Sequence, residues 1–410
     1  MKAKKDVLFL CQFFYPEYIS SATLPFDTAV ALTKAGFSVG ALCGYPKEYN
    51  LMGSVPLREI HENIKIRRLR YIQIKRSNFI CRLINYFSFI FSVMLHFSDL
   101  KRYKVVIVYS NPPILPIITA LANRFFKTKI IFVSFDVYPE IAEKTSSISK
   151  NGIISKIMKM VNKSIFKHAT KVVAISNEMK DYLHKKRAVL LDEQIEVIPN
   201  WCEDDERLTS DDSVQLRLSE LKTRNNIIVS YFGNMGICQD MNTILDAIRS
   251  TKDDNGIRFL FAGHGNKMSI LKEAVENEDL KNVTIFDYLH GKDFIDALKI
   301  SDCFLVSLVD GLEGLCVPSK TYSYMTAGKP IIAIMEENFD IVKDLIENEA
   351  GYNVHQGESK ALIEYIRTLQ VDQLLRKRMG ENCRSIYLQK YTKGHCTQHY
   401  IDMIKKMLEV

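Results

Sequence analysis

Residues 305–333, LVSLVDGLEGLCVPSKTYSYMTAGKPIIA, admit few folds. The apolar run from Cys303 to Leu308 has the length and composition of a buried strand. A loop with Gly311, Gly314 and Pro318 follows, then a helical stretch from Lys320 to Ala327. Gly328 supplies the C-cap, Pro330 stops the helix, and Ile331 to Ile334 reads as a second buried strand. Two buried strands joined through a helix imply a parallel pair and an α/β fold. The loop feeds a helix N-terminus, where backbone N–H groups and the positive dipole end suit a phosphate. Lys320, in the first turn, adds a cation; the competing reading is an ordinary βαβ unit with a solvated lysine.

The same rhythm recurs on both sides. Strands are expected at 7–14, 37–43, 64–71, 105–109, 130–135, 171–175 and 195–198, with helices at 23–34, 114–126, 151–168 and 177–186, the last capped by Ser176. The acidic, polar stretch from Trp201 to Asn226 reads as an interdomain connection. A second series follows, with strands at 227–232, 257–262 and 283–286 and helices at 242–250, from 267, and at 292–300; after Gly351 the chain reads as mainly helical. Gly233-Asn234-Met235-Gly236 and Gly263-His264-Gly265 are turns directly after strands. Neither is a full G-x-G-x-x-G, so neither is specific for a dinucleotide, but with the 305–334 unit they frame one nucleotide-sized crevice. The expected domains are 1–200 and 201–394, with a terminal helix at 395–410 packing back on the first.

A chain of 410 residues has room for two such domains, and 47% hydrophobic with 25% charged residues excludes a disordered one. Nine cysteines show no metal-type spacing and read as small buried groups in a reducing compartment. The N-terminus begins like a signal peptide, but its apolar run is short and ends at Tyr15-Pro16-Glu17. It reads as a first strand of a cytoplasmic protein. Residues 1–200 carry 30 Lys/Arg against 15 Asp/Glu, and residues 201–410 carry 25 against 33. The basic residues are scattered, with no nucleic-acid motif, so an anionic membrane surface is the expected partner of the first half. Residues 79–97, FICRLINYFSFIFSVMLHF, are the most apolar segment, flanked by Arg76, Lys101, Arg102 and Lys104. A core helix, an interfacial helix and a bilayer span compete there.

Strand–GNMG, strand–GHG and EGLCVPSKTYSYMTAGKPII, together with FFYPE, FDVYPE and PNW in the first half, resemble the GT-B-fold glycosyltransferases of family 4. The resemblance is nearest to the bacterial branch that builds capsule, O-antigen or other surface polysaccharide. It implies two facing Rossmann-like domains with parallel sheets and an interdomain cleft. It also implies a nucleotide-sugar donor, UDP-linked by expectation, in the second domain and a lipid-carrier-linked saccharide acceptor in the first. Transfer would retain anomeric configuration without an obligatory metal or other cofactor, at the inner face of the membrane.

Residue by residue, the resemblance assigns Gly233, Asn234 and Gly236 to the donor diphosphate. Gln239 stands near a basic residue of many relatives, Gly263, Gly265 and Lys267 match the second turn, Tyr288 and Leu289 the nucleobase position, and Ser319 and Lys320 the loop-to-helix site. Many relatives carry two glutamates eight positions apart in this unit. Their positions here hold Leu315 and Ser323, with Glu313 two residues away as the candidate catalytic carboxylate and Ser323 as a weaker ribose contact. Asp136, at the end of an expected strand, is the first-domain catalytic candidate, with a helix N-cap as the alternative. Tyr15 and Glu17 are acceptor candidates. His264 reads as a structural turn residue, and His168 and His184 as helix surface. An epimerase or hydrolase on the same fold, and a non-catalytic assembly partner, are the rival functions.

Overall fold

In the computed structural model, which describes residues 4–47, 49–50, 52–74, 79–208, 214–223 and 225–409, the apolar runs become parallel strands. Two units form. Unit 1 comprises Met1–Pro199, Gly314–Val317 and Lys393–Val410; unit 2 comprises Asn200–Glu313 and Pro318–Thr392.

Unit 1 contains β1 (Lys5–Cys11), β2 (Val39–Gly44), β3 (Arg58–His61), β4 (Ile64–Leu69), β5 (Tyr103–Tyr109), β6 (Lys129–Ser134), β7 (Lys171–Ala174) and β8 (Ile195–Val197). They lie in the order β3-β4-β2-β1-β5-β6-β7-β8, all parallel except the β3–β4 edge pair. Phe9, Val106 and Ile107 on the central strands are fully buried, as expected where helices cover both faces. The strand order reverses between β1 and β5, so the loops after β1, β5 and β6 gather where α/β folds place ligands. The helices are α1 (Ser20–Lys34), α2 (Phe79–Met94), α3 (Pro116–Phe126), α4 (Glu140–Lys144), α5 (Ile153–His168) and α6 (Asn177–Lys186). Ser176 caps α6 as expected, its Oγ accepting from the Met179 N–H at 3.3 Å.

Unit 2 contains β9 (Ile227–Asn234), β10 (Ile257–His264), β11 (Val283–Phe286), β12 (Cys303–Ser307), β13 (Ile331–Ile334) and β14 (Gly351–Val354), all parallel, in the order β11-β10-β9-β12-β13-β14. Its helices are α7 (Leu216–Ser219), α8 (Asn242–Ser250), α9 (Asn266–Asn277), α10 (Gly291–Ile300), α11 (Lys320–Thr326), α12 (Asp340–Glu347), α13 (Ser359–Val371) and α14 (Gln373–Ile386); α15 (Lys393–Leu408) belongs to unit 1. Val229, Phe259, Leu305 and Ile332 of the sheet pack with Ile244 and Ile248 of α8 and Ile366 of α13 in one core.

Four expectations need correction. The stretch after Gly351 begins with a strand, β14, because four residues of mixed polarity give too short a pattern to read. β9 and β10 run on through Gly233-Asn234 and Gly263-His264, since each extends the other's ladder. The supposed connection is folded into unit 2, with Trp201 and Leu218 buried; residues 209–213 and 224 of it lie outside the described residues. Finally, α2 is no core helix. Only a narrow side, Asn85, Phe89 and Val93, is buried, and the Asn85 amide is satisfied by the Ile74 N–H and C=O. No helix among the described residues is long and apolar enough to cross a membrane. Arg76 lies outside the described residues.

Candidate active site

In unit 2 the strand order reverses between β9 and β12, and Lys320 bridges that point. From the first residue of α11 its Nζ donates to Tyr231 Oη at 2.7 Å and to the Asn234 carbonyl at 3.0 Å. It also lies 4.1 Å from the Tyr231 ring centroid. With no carboxylate paired to it among the described residues, burial pushes the ammonium down from 10.5 to about 7. α11 is anchored by Tyr324, whose hydroxyl accepts from the Phe232 N–H at 2.7 Å and donates to the Phe232 carbonyl at 3.0 Å. The Tyr324 ring stacks on Phe304 at 4.2 Å. Sequence reading missed this anchor. Because α11 has only seven residues, and the Thr321 and Tyr322 N–H groups already bond Pro318 and Ser319, its dipole adds less than the Lys320 charge. Ser319 is exposed and makes no side-chain cap.

The two glycine turns are built against each other. Gly233 pairs with Gly263 and Asn234 with His264; Met235 N–H donates to the His264 carbonyl and Lys267 N–H to the Met235 carbonyl. A Cβ on Gly263 would overlap the Gly233 carbonyl, and one on Gly265 the Met235 carbonyl. Close packing of the two turns therefore requires glycine at both positions. Gly233, by contrast, has open space where a Cβ would be. Gln239 Oε1 accepts from the Gly236 N–H at 2.7 Å, so these two atoms are engaged within the turn. The Lys267 side chain is partly exposed and has no partner among the described residues.

Tyr288 lies 5.5 Å from the His264 ring and 4.5 Å from His290, an aromatic group beside Leu289 at the ends of β10 and β11. These rings are exposed, and His264 at its turn and His290 stand next to Tyr288. Ser323 Oγ lies 3.4 Å from Cys202 Sγ. Glu313 is partly exposed with no cation paired to it among the described residues.

In unit 1, Asp136 follows β6. Its backbone N–H and that of Phe135 donate to Ser110 Oγ, which fixes the turn. α4 starts at Glu140 with Pro139 at its cap, so the N-cap alternative for Asp136 falls. Desolvation lifts its carboxyl from 3.8 to about 6, and no cation pairs with it among the described residues. The Val137 N–H donates to the Leu315 carbonyl at 2.9 Å, and Leu315 is buried. Glu17 is also corrected: only 6% exposed, it accepts from the Phe14 N–H and orders its own loop. The Tyr15 ring clusters with His61 and Phe26, at 4.0 and 4.9 Å, which are 5.7 Å from each other.

Comparison with known proteins agrees with this architecture. The Glycosyl transferases group 1 profile matches residues 215–386, and the Glycosyltransferase Family 4 profile matches residues 24–206. A probable glycosyltransferase, WbjE, of Pseudomonas aeruginosa is 27% identical over 323 residues, 78% of this chain and 79% of that protein. A putative colanic acid biosynthesis glycosyl transferase, WcaI, of Escherichia coli strain K12 is 25% identical over 250 residues, 56% of this chain and 60% of that protein. Among solved structures, Anabaena HepE in complex with UDP and glucose superposes with a TM-score of 0.73 at 15% identity, covering 98% of this chain and 100% of that one. With a parallel sheet in each unit and glycosyltransferase profiles matching both halves, the chain is a GT-B-fold glycosyltransferase.

Proposed function

We propose that the protein is a retaining glycosyltransferase that moves a sugar from a UDP-linked donor to a lipid-carrier-linked saccharide, in the synthesis of a capsule, O-antigen or exopolysaccharide at the inner face of a bacterial membrane. The observation that carries this reading is the desolvated Lys320 ammonium held across the β9/β12 reversal with no carboxylate paired to it among the described residues. A diphosphate is the ligand such a cation favours. The UDP and glucose of the HepE complex and the colanic acid role in the WcaI name support the donor and pathway classes.

As the sugar C1–O bond breaks, the electron pair moves to the β-phosphate oxygen. Lys320, Lys267 and nearby backbone N–H groups offset that charge, so no resident metal is required by this reading. The acceptor oxygen bonds C1 on the same face, and its proton passes to the departing phosphate oxygen. Asp136, mostly ionised at neutral pH, orients the acceptor hydroxyl. The exposed Tyr288 group receives the uracil, and Ser323 a ribose hydroxyl. Glu313 remains the carboxylate proposed near the sugar.

The test is to incubate the purified protein with UDP-sugars labelled in the sugar and with bacterial lipid extract. Label entering the organic phase, with the donor's anomeric configuration in the product by NMR, is the expected result. Donor consumption without acceptor would instead favour an epimerase or hydrolase. No donor binding at all would favour a non-catalytic assembly partner, the reading suggested by Leu315 and Ser323.

A further inference from the structure

Unit 1 holds a cavity of about 470 Å³ at the end of its sheet remote from the loops after β1, β5 and β6. Lys5 and Tyr103, the first residues of β1 and β5, line it together with Lys65 near the start of β4. Those three strands are parallel, so the cavity sits at their N-terminal ends. At about 3.3 Å per residue, the length of β1 from Lys5 to Cys11 puts about 20 Å between the two ends. Five cations line the cavity, Lys5, Arg58, Lys65, Arg67 and Arg102, against two carboxylates, Glu59 and Asp99.

Both carboxylates are already engaged. Asp99 pairs with Arg67 and, at 3.5 Å, with Arg102, while Glu59 pairs with Arg68. Lys5, Arg58 and Lys65 have no acidic partner among the described residues. Across the antiparallel β3–β4 pair, Arg58 lies directly opposite Arg67, an arrangement of like charges that costs stability. The Lys5 ammonium is held below its usual value by burial and by the neighbouring Lys65 and Arg102 charges. An anion in the cavity would relieve that repulsion. Gly40, aligned with Leu8 and Lys65 in the sheet, lets the Tyr103 hydroxyl in, because a side chain there would overlap it. Leu8, Leu42 and Ile60 give the cavity an apolar wall.

We propose that this cavity binds a small soluble phosphate ester, its phosphoryl group among Lys5, Arg58 and Lys65 and its carbon portion against Leu8, Leu42 and Ile60. A phosphoryl group brings about two negative charges and three acceptor oxygens, which suits three cations that lack acids of their own. Arg58 offers a fork of parallel N–H groups, and the two lysines act as point charges. The volume lies in the range of sites for metabolite-sized molecules. Occupancy ties the starts of β1, β4 and β5 to one ligand and so stabilises unit 1. The site lies wholly within unit 1 and uses no residue of the proposed transfer reaction, so the two readings can fail separately.

The test is calorimetric titration of the full chain with glucose 6-phosphate, inorganic phosphate and glucose. Saturable binding of glucose 6-phosphate at a single site, competed by phosphate, with no binding of glucose, is the expected result. Lys5→Gln combined with Lys65→Gln should weaken that binding at least about tenfold, because two charge-assisted contacts are lost. Without ligand this double variant should match or exceed the wild-type thermal midpoint, since it removes like charges, so lost binding would not reflect unfolding. Lys320→Ala should bind the ester as the wild type does, which separates this site from the donor site. No saturable binding of glucose 6-phosphate by the wild type, equal binding by the double variant, or loss of binding in Lys320→Ala overturns the proposal. So does capture of the wild type but not the double variant by phosphatidylglycerol vesicles with no competition from glucose 6-phosphate, which would make the phosphate a lipid headgroup.

Discussion

Lys320 holds a charge that its surroundings disfavour, and that gives it two opposite pH signatures. Its ammonium titrates near about 7 in the fold against 10.5 for the ordinary side chain. Between those values the unfolded chain binds more protons, so this group's contribution to stability rises with pH from about 7 to 10.5. Below about 7 both states are charged and the full desolvation penalty applies. Lys320→Met should therefore raise the thermal midpoint at about pH 6. Diphosphate binding favours the charged form and has the reverse trend. UDP affinity should fall by up to about tenfold per unit as pH rises from about 7.5 to about 8.5, a range in which the diphosphate is ionised and the uracil keeps its N3 proton. Lys320→Arg, whose charge persists throughout, should flatten that profile in calorimetric titrations. Asp136 supplies a second check: with its carboxyl near about 6, activity should fall on the acid side around that pH, and Asp136→Asn should remove this limb. Residue identity and position marked Lys320 and Asp136 as candidates in the sequence. They could not reveal that Gln239 and Glu17 turn their polar groups onto neighbouring N–H groups, because a side chain's hydrogen-bond partner depends on loop geometry.

At the scale of elements, the donor region depends on close approach between neighbouring segments. Gly263 combines a φ of +145° with contact against the Gly233 carbonyl. Gly263→Ala should cost more than about 2 kcal/mol in urea unfolding, since strain and overlap add. Tyr324→Phe leaves the Phe232 N–H and carbonyl without their partner in a buried setting. It should cost about 1–3 kcal/mol and also weaken UDP binding by loosening α11. Strands with continuous apolar runs, such as β5 and β12, were readable because burial on both faces dictates their composition. β3 and β14 escaped notice because an edge position and short length relax that demand. For α2 a core and an interfacial helix stayed in competition, because composition reveals apolar character and not which side finds a protein partner.

For the whole molecule, two parallel sheets could be inferred from the recurring strand–helix rhythm, but not their strand order; the return of a terminal helix to the first unit was expected, but not the contacts that hold it. α15 buries Tyr400 and Ile404, Lys393 pairs with Asp27 at 2.7 Å, and Lys129 donates to the Met407 carbonyl at 2.6 Å. No local pattern announces contacts between residues so far apart in the chain. Removing residues 393–410 should lower the unfolding transition of unit 1 and leave UDP binding by unit 2 in place, as scanning calorimetry with and without UDP would report. The most direct measurement is calorimetric titration of the full-length wild type and its Lys320→Ala variant with UDP, GDP and ADP. UDP binding that falls at least about tenfold in the variant, with a circular dichroism spectrum like the wild type's, is the predicted result. Equal UDP affinity in the two proteins would contradict a donor site built on Lys320.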